Sequence, residues 1–308
     1  MLVETKMISE FYAEMLLDKY FSDKSAFKAV LSHSLAVRDA AISIANDIIK
    51  NSKVSVDLDL VRIGALLHDI GRSKYPPGHG KILHGIEGYR ILMNERLPKI
   101  ALFARNHVGF GIYDYDIKLQ HLPLPSGNYV PETIEQKIVS YADNLIFGSR
   151  RGDFLKVLKR FFNEISFFIL KRAIDSHNEI ASLSGKKMLI PDPKFIESLF
   201  DPVKIIKRIN SSEFITEHLP YNKSNICLCL DDTKINLVFE KRKMLSISSC
   251  QGNCDLFLKG DDLTYMYENT TSFLKDWNSF YSWLSLHKLS EKTQKIIKPF
   301  FDYPILFI

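Results

Sequence analysis

The 308-residue sequence has little cysteine, and what it has comes late: Cys227, Cys229, Cys250 and Cys254 are all four. That is too few to staple a chain of this length, so a disulfide scaffold is excluded and a reducing compartment is consistent with the usage. Long hydrophobic runs are also missing. No stretch reaches the roughly 20 consecutive apolar residues of a bilayer span, and the opening "MLVETKMISEFYAEM" lacks a basic-then-apolar signal pattern. The expectation is a cytoplasmic protein without a membrane span. There is no internal repeat, no low-complexity segment and no Lys/Arg run that reads as a nucleic-acid stripe. The P-loop, the Rossmann glycine pattern and the nucleophile elbow are absent, which argues against Walker-type ATP hydrolysis, dinucleotide redox chemistry and serine hydrolase activity.

What is present is ample core material, 46% hydrophobic residues, enough for one large or two ordinary domains. Residues 1–190 carry 26 basic and 21 acidic side chains, so the whole net charge of +5 lies there. A modest surplus of this kind fits an anionic, phosphate-bearing ligand.

From residue 7 to about 185 the periodicity is helical. In "AFKAVLSHSLAVRDAAISIANDIIK" the positions Ala26, Val30, His33, Val37, Ala40 and Ile44 recur at spacings of three and four, an inward stripe. "DLDLVRIGALLHDIG" is a second helix, with Val61, Ala65 and His68 on one face and Gly71 in C-cap position. Helices follow around 82–96 and 98–108, then a loop, "GFGIYDYDIKLQHLPLPSGNY". Pro131 opens a helix running to about 147. "SGKKMLIPDP", 184–193, interrupts the pattern and is the linker candidate, so a boundary is expected near 190. Beyond it "NICLCL", "INLVFE", "LSISS" and "CDLFLKG" are short β-prone runs separated by "DDT", "KRK" and "QGN", an antiparallel meander, with a helical tail from about 262 to 301. The expected fold class is therefore two-domain: an all-α domain, 1–190, followed by a smaller α+β domain, 191–308.

Six positions stand out chemically. His33 occupies an inward position of an apolar stripe, where a polar ring needs a partner. His68 and Asp69 end a core helix, and adjacent helical residues point about 100° apart, so both can face one site only at the helix end. Asp143, in "VSYADNLIF", is flanked by Val139 and Ile146 and is costly to bury alone; a capping role or a pair with Arg150 is the bland alternative. His84 and His107 each sit within two residues of a glycine. A neutral imidazole and a carboxylate are usual ligands for a divalent cation, which removes the desolvation problem each group meets alone.

His33, the His68–Asp69 pair inside "HDIG" and the distant Asp143 resemble the H…HD…D signature of the HD-domain metal-dependent phosphohydrolases of the HDIG type. "GALLHDIGRSK", "HGIEGYRIL", "RNHVGFGI" and "LPLPSGNYVPETIEQKIVSYADNLIFG" are similar to the pattern of small archaeal HDIG proteins. The resemblance implies an all-α HD domain with metal ligands at His33, His68, Asp69 and Asp143. In members with two cations, histidines corresponding to His84 and His107 belong to a second site, with Asp69 bridging; His79 in "PPGHGK" is a further histidine in that region. One or two divalent ions (Mn, Fe, Co, Ni or Mg) would then generate hydroxide to attack phosphorus, with Asp69, His68 and Arg72 as the catalytic group. Arg72, Lys74, Arg150 and Arg151 are the candidates for binding phosphate oxygens.

The four cysteines lack the usual zinc-knuckle spacing and read as core thiols. Residues from about 231, with Trp277 and Trp283 in the tail, loosely resemble the sterol-carrier-protein-2-like fold. Two readings follow: an enzyme acting on a small phosphorylated substrate such as a nucleotide, with the possibility of a homo-oligomer, or a regulatory protein whose metal site is structural and whose C-terminal domain binds an apolar ligand or partner.

Overall fold

The computed structural model describes residues 8–77, 82–120, 122–165, 169–191, 201–211, 221–230, 233–249 and 256–258, with a few single positions around 195–199 and 262–269. His79 and the expected helical tail with Trp277 and Trp283 lie outside the described residues. The chain divides into two compact units. The first comprises Met1–Ile117, Pro123–Val157 and Ala173–Leu189; the second comprises Lys118–Leu122, Leu158–Arg172 and Ile190–Ile308.

In the first unit, helix α1 (Glu10–Tyr20) starts at Ser9, whose side chain accepts the Tyr12 amide. Helix α2 (Lys24–Asn51) starts at Asp23, which accepts from Ser25 and Ala26, and α3 (Leu58–Leu67) at Asp57, which accepts from Leu60. Each cap satisfies an amide that the first helical turn leaves orphaned. The inward stripe of α2 is Val30, Val37, Ala40, Ala41, Ile44, Ala45 and Ile48, all buried. Helix α3 is buried along Ile63, Gly64, Ala65, Leu66 and Leu67, which makes it the central element of the unit. Gly64 permits this: a Cβ there would meet the Phe103 ring at 2.4 Å.

Helix α3 does not close on a glycine cap. It ends at Leu67 with His68 as its C-cap, and Ile70–Ser73 form a 3-10 turn. Gly71 serves a different need, since a Cβ on it would fall 1.9 Å from the His84 carbonyl oxygen and 2.5 Å from the Gly88 nitrogen. It lets that turn lie directly against α4 (Leu83–Asn94). Helix α4 in turn packs on α5 (Pro98–Asn106) through Gly88, whose Cβ would meet Ala104 at 2.8 Å.

The stretch read as a loop after residue 108 contains a short helix, α6 (Asp114–Gln120), and an isolated bridge between Ile112 and Tyr129. Helix α7 (Ile134–Leu145) begins later than Pro131 suggests, because Thr133 is its N-cap and accepts the Gln136 amide. A two-stranded hairpin, β1 (Ile146–Phe147) and β2 (Arg150–Arg151), follows at once. After α8 (Phe154–Arg160) and a π-helical turn, Phe161–Ile165, helix α9 (Leu170–Leu183) ends in a Schellman motif. Lys186 and Gly185 donate to the Ala181 and Ser182 carbonyls, with Gly185 at φ +67°. The glycine of the expected linker is thus a helix terminator.

In the second unit, α10 (Pro202–Ser211) is capped by Asp201, and Asn210 pairs through both its side-chain atoms with the backbone of Met244. That contact satisfies part of the edge of β5 in a four-stranded sheet. Strands β3 (Ser224–Leu230), β4 (Thr233–Glu240) and β5 (Lys243–Ser249) form the expected antiparallel meander. Lys241 and Arg242 both adopt positive φ, the primed turn that matches strand twist. The fourth strand, β6 (Leu256–Leu258), departs from the expectation: it runs parallel to β3, giving the order β5-β4-β3-β6. Cys227, buried at 2% exposure, is disulfide-bonded, which corrects its reading as a core thiol and removes it as a thiolate ligand for zinc. Among the described residues no helix is long and apolar enough to cross a membrane.

Candidate metal centre

Two histidines reach the centre from helix ends. His68 is the C-cap of α3, and its Nδ1–H donates to the Ala65 carbonyl at 2.7 Å. His107 is the C-cap of α5, and its Nδ1–H donates to Ala104 at 2.9 Å and Phe103 at 3.2 Å. These carbonyls belong to last turns, which no intrahelical amide can satisfy. A histidine at that position satisfies its own helix and points Nε2 outward, with the tautomer fixed.

His33 arrives from the middle of α2, and its Nδ1–H donates 2.7 Å to the carbonyl of Gly148 in the β1–β2 hairpin. Its Nε2 is 2.9 Å from Asp143 Oδ1. Asp143 itself sits in the last turn of α7, so the hairpin that follows the helix also holds the histidine facing it. Asp143 is not paired with Arg150, its bland alternative; Arg150 and Arg151 are exposed on β2.

Asp69 stands between two groups of imidazoles and turns one oxygen to each. Its Oδ2 is 3.9 Å from both His33 Nε2 and His68 Nε2, while Oδ1 is 3.2 Å from His84 Nε2 and 3.4 Å from His107 Nε2. The two ring nitrogens of His84 and His107 are 3.0 Å apart. His68 Nε2 lies 3.5 Å from Asp143 Oδ1, and is a buried atom without a partner in hydrogen-bonding geometry.

Burial alone would push the Asp69 carboxyl up, yet the imidazoles of His68, His107 and His84 outweigh it and hold the group well below the usual carboxylate range. Asp143 behaves likewise: burial acts upward, and His33 and His68 bring it well below that range. Burial would lower His33, but Asp143 and Asp69 raise it to about 9. His107 is lowered, chiefly by burial.

Ionised carboxylates therefore face the Nε2 atoms of His68 and His107, whose ring protons are engaged by backbone carbonyls at Nδ1. Lone pairs meeting carboxylate oxygens repel, and a cation between them reverses the sign. The residues fit a divalent ion on that ground. Three groups of donors come together: His33, His68 and Asp69; His68, His107 and Asp143; and Asp69, His84 and His107. Separations of 3.0, 3.2 and 3.4 Å in the last group are those of neighbouring ligand atoms at bonds of about 2.0–2.2 Å.

Of the candidate phosphate-binding cations, Arg72 is nearest, with Nε 3.2 Å from Asp69 Oδ1 and a side chain only 19% exposed. Lys74 instead reaches Glu87 at 3.5 Å, a buried carboxylate also gripped by Arg90. Several supporting groups had not been anticipated. Ser140 donates to the His107 and Gly109 carbonyls, and Asn144 to Gly109 at 2.6 Å, which fastens α7 to the end of α5. Their signal was a polar pair at spacing four on the inward side of α7.

Residues 30–148 match the HD domain family, a span that runs from just before His33 to just beyond Asp143. A relative from Methanocaldococcus jannaschii, the uncharacterized protein MJ0778, is 43% identical over 157 residues, 50% of this chain and 89% of its own. The chain belongs to the HD-domain family. This HD-domain protein is also 33% identical over 174 residues, 56% of its length, to a tRNA (cytidine(56)-2'-O)-methyltransferase of Thermoplasma volcanium, of which the match spans under half, 47%. Among solved structures it resembles the HD domain of the L. monocytogenes phosphodiesterase PgpH, at 20% identity and a TM-score of 0.34, over 56% of this chain and 97% of that one.

Proposed function

We propose that this HD-domain protein is a metal-dependent phosphohydrolase that cleaves a phosphomonoester or phosphodiester of a small phosphorylated compound, of the nucleotide class. The observation that carries the reading is the buried Nε2 of His68, facing two carboxylates with its other nitrogen already engaged. One or two divalent cations of the Mn, Fe, Co, Ni or Mg type, bound there, supply a water of lowered pKa as nucleophile and neutralise charge on the phosphoryl oxygens.

The protein's own residues do the rest. His33, His68, Asp69 and Asp143 form one ligand group, and Asp69, His84 and His107 a second, so the Asp69 carboxylate is shared. The carbonyls of Gly148, Ala65 and Ala104 fix the imidazoles of His33, His68 and His107 before any ligand arrives, and pre-set donors need no reorganisation during reaction. Arg72 offers a fork for phosphate oxygens at the rim, because among the described residues its terminal nitrogens take no hydrogen bond while Nε rests on Asp69. Arg150 and Arg151 stand exposed one turn of hairpin from Gly148 and contribute to attracting an anion. The reading assigns the chemistry to a helical domain over 1–190 and gives 191–308 an accessory role.

The test is elemental analysis of purified protein paired with a phosphoester panel under Mn²⁺, Fe²⁺, Co²⁺, Ni²⁺ and Mg²⁺. Metal-dependent release of phosphate is expected, and Asp69→Ala abolishes it. Unchanged turnover in a metal-loaded Asp69→Ala protein removes the centre from consideration.

A further inference from the structure

The two ligand groups around Asp69 are unequal in a way their residue types do not reveal. On the side of Oδ2, His33 and His68 are joined by Asp143, so that position has two carboxylates and, among the described residues, no Lys or Arg paired with Asp69 Oδ2 or Asp143. On the side of Oδ1, His84 and His107 have only the shared carboxylate, and Arg72 Nε sits 3.2 Å from that same oxygen. The guanidinium stays charged at any working pH, and Arg72 is fixed there by the 3-10 turn, whose Arg72 amide donates to the Asp69 carbonyl at 2.9 Å.

We infer that Arg72 is a positioning and selectivity residue for the centre: by sitting on Asp69 Oδ1 it weakens the His84–His107 position for a cation and so separates two binding steps. The inference rests on the metal-dependent reading above. A fixed charge of +1 about 5 Å from a divalent ion opposes its binding by about tenfold or more even at water-like dielectric. It also draws electron density from the one oxygen the weaker position depends on. The Asp143 side, which carries the extra carboxylate and uses the Asp69 oxygen that Arg72 does not hold, fills first. The weaker position is then loaded only at higher metal concentration, or when an anion occupies the guanidinium fork and offsets its charge.

The measurement is calorimetric titration of the full-length chain with Mn²⁺, without substrate, followed by electron paramagnetic resonance for the coupled pair signal. Wild type is expected to take up two ions in steps separated by at least about tenfold, with the pair signal only after the second. His84→Asn removes the second step and identifies it. Arg72→Gln tightens that second step by about tenfold or more and leaves the first within about threefold; Arg72→Lys, which keeps a charge nearby, retains most of the separation. A second step that is unchanged or weakened in Arg72→Gln, in protein whose first step is intact, overturns the inference while leaving the metal centre standing. Absence of both steps in wild type overturns the metal-dependent reading itself, and the inference with it.

Discussion

Gly71 and His84 are in backbone contact: a Cβ added to the glycine would lie 1.9 Å from the carbonyl oxygen of the histidine. The neighbouring glycines Gly85 and Gly88 continue the contact to α5, where a Cβ on Gly85 would stand 3.0 Å from the Ala104 carbonyl. This stack of small residues sets the distance between the turn that carries Asp69, the helix that carries His84 and the helix end that carries His107.

Gly71→Ala should therefore separate the turn from α4. Two backbones must move, and no flexible side chain can give way, so the cost is that of overpacking, about 3 kcal/mol or more. Asp69 and His84 part in consequence, and the His84–His107 position loses its cation before the Asp143 side does. Thermal melting and metal content measured together check this. A variant that melts like wild type and binds as much metal would show that the contact is not limiting.

Two of the candidate positions that converge were legible because each is a polar side chain where the period of its helix demands an apolar one: His33 in the stripe of Val30 and Val37, Asp143 beside Val139. What orients them was not. The partner of His33 Nδ1 is a carbonyl 115 residues away, in a hairpin too short to give a strand signal. The role of Gly71 was misplaced because glycine near a helix end suggests a left-handed cap, whereas here the missing Cβ matters for a neighbour that sequence does not reveal. β6 was expected to extend the meander, since adjacency in sequence favours a hairpin; its pairing with β3 depends on which sheet edge is open.

The metal-free protein should be most stable on the acid side of His33. Its pKa in the folded chain is raised, from the ordinary 6.5 to about 9, because Asp143 and Asp69 overcome the effect of burial. Folding thus favours the protonated ring. The stabilisation is complete below pH 6.5 and is lost as pH rises through about 9, with an upper bound of roughly 3 kcal/mol. Urea unfolding of chelator-treated protein at pH 6.5, 8 and 9.5 measures it, and imidazole resonances assign it. Cations compete with the same proton, so apparent Mn²⁺ affinity rises with pH over this range. Stability that stays flat across it would contradict the assignment.

His177 gives the opposite sign on the acid side. Tyr141 donates its hydroxyl proton to His177 Nδ1 at 2.6 Å, and Phe154 stacks on the ring at 4.0 Å, so folding favours the neutral imidazole. Burial lowers its pKa, and burial also raises Tyr141 to about 12. The contribution is fully present above pH 6.5 and is lost as pH falls below it toward the lowered folded value. His177→Phe should flatten this acid limb while costing about 1–2 kcal/mol at pH 7.5, since the buried Tyr141 hydroxyl loses its acceptor. An acid limb that survives in His177→Phe belongs to another group.

The cations at the rim should separate by what already holds them. Lys74 is engaged by Glu87, which Arg90 also neutralises, and the Glu87 carboxyl is accordingly lowered, first by Arg90. Its side chain is 56% exposed and its charge is spent on a neighbour. Among the described residues Arg72 is held by one atom, Nε, and keeps its fork available at the edge of the centre. Under saturating Mn²⁺, with a phosphoester that the panel shows to be turned over, Arg72→Ala should raise KM about tenfold or more, the loss of a charge-assisted pair of hydrogen bonds. Lys74→Ala should change it less than about threefold, and its effect should appear as mobility of Glu87 and Arg90. Equal KM effects would mean that the substrate draws Lys74 away from Glu87 on binding, and a double variant whose effects fail to add would show it.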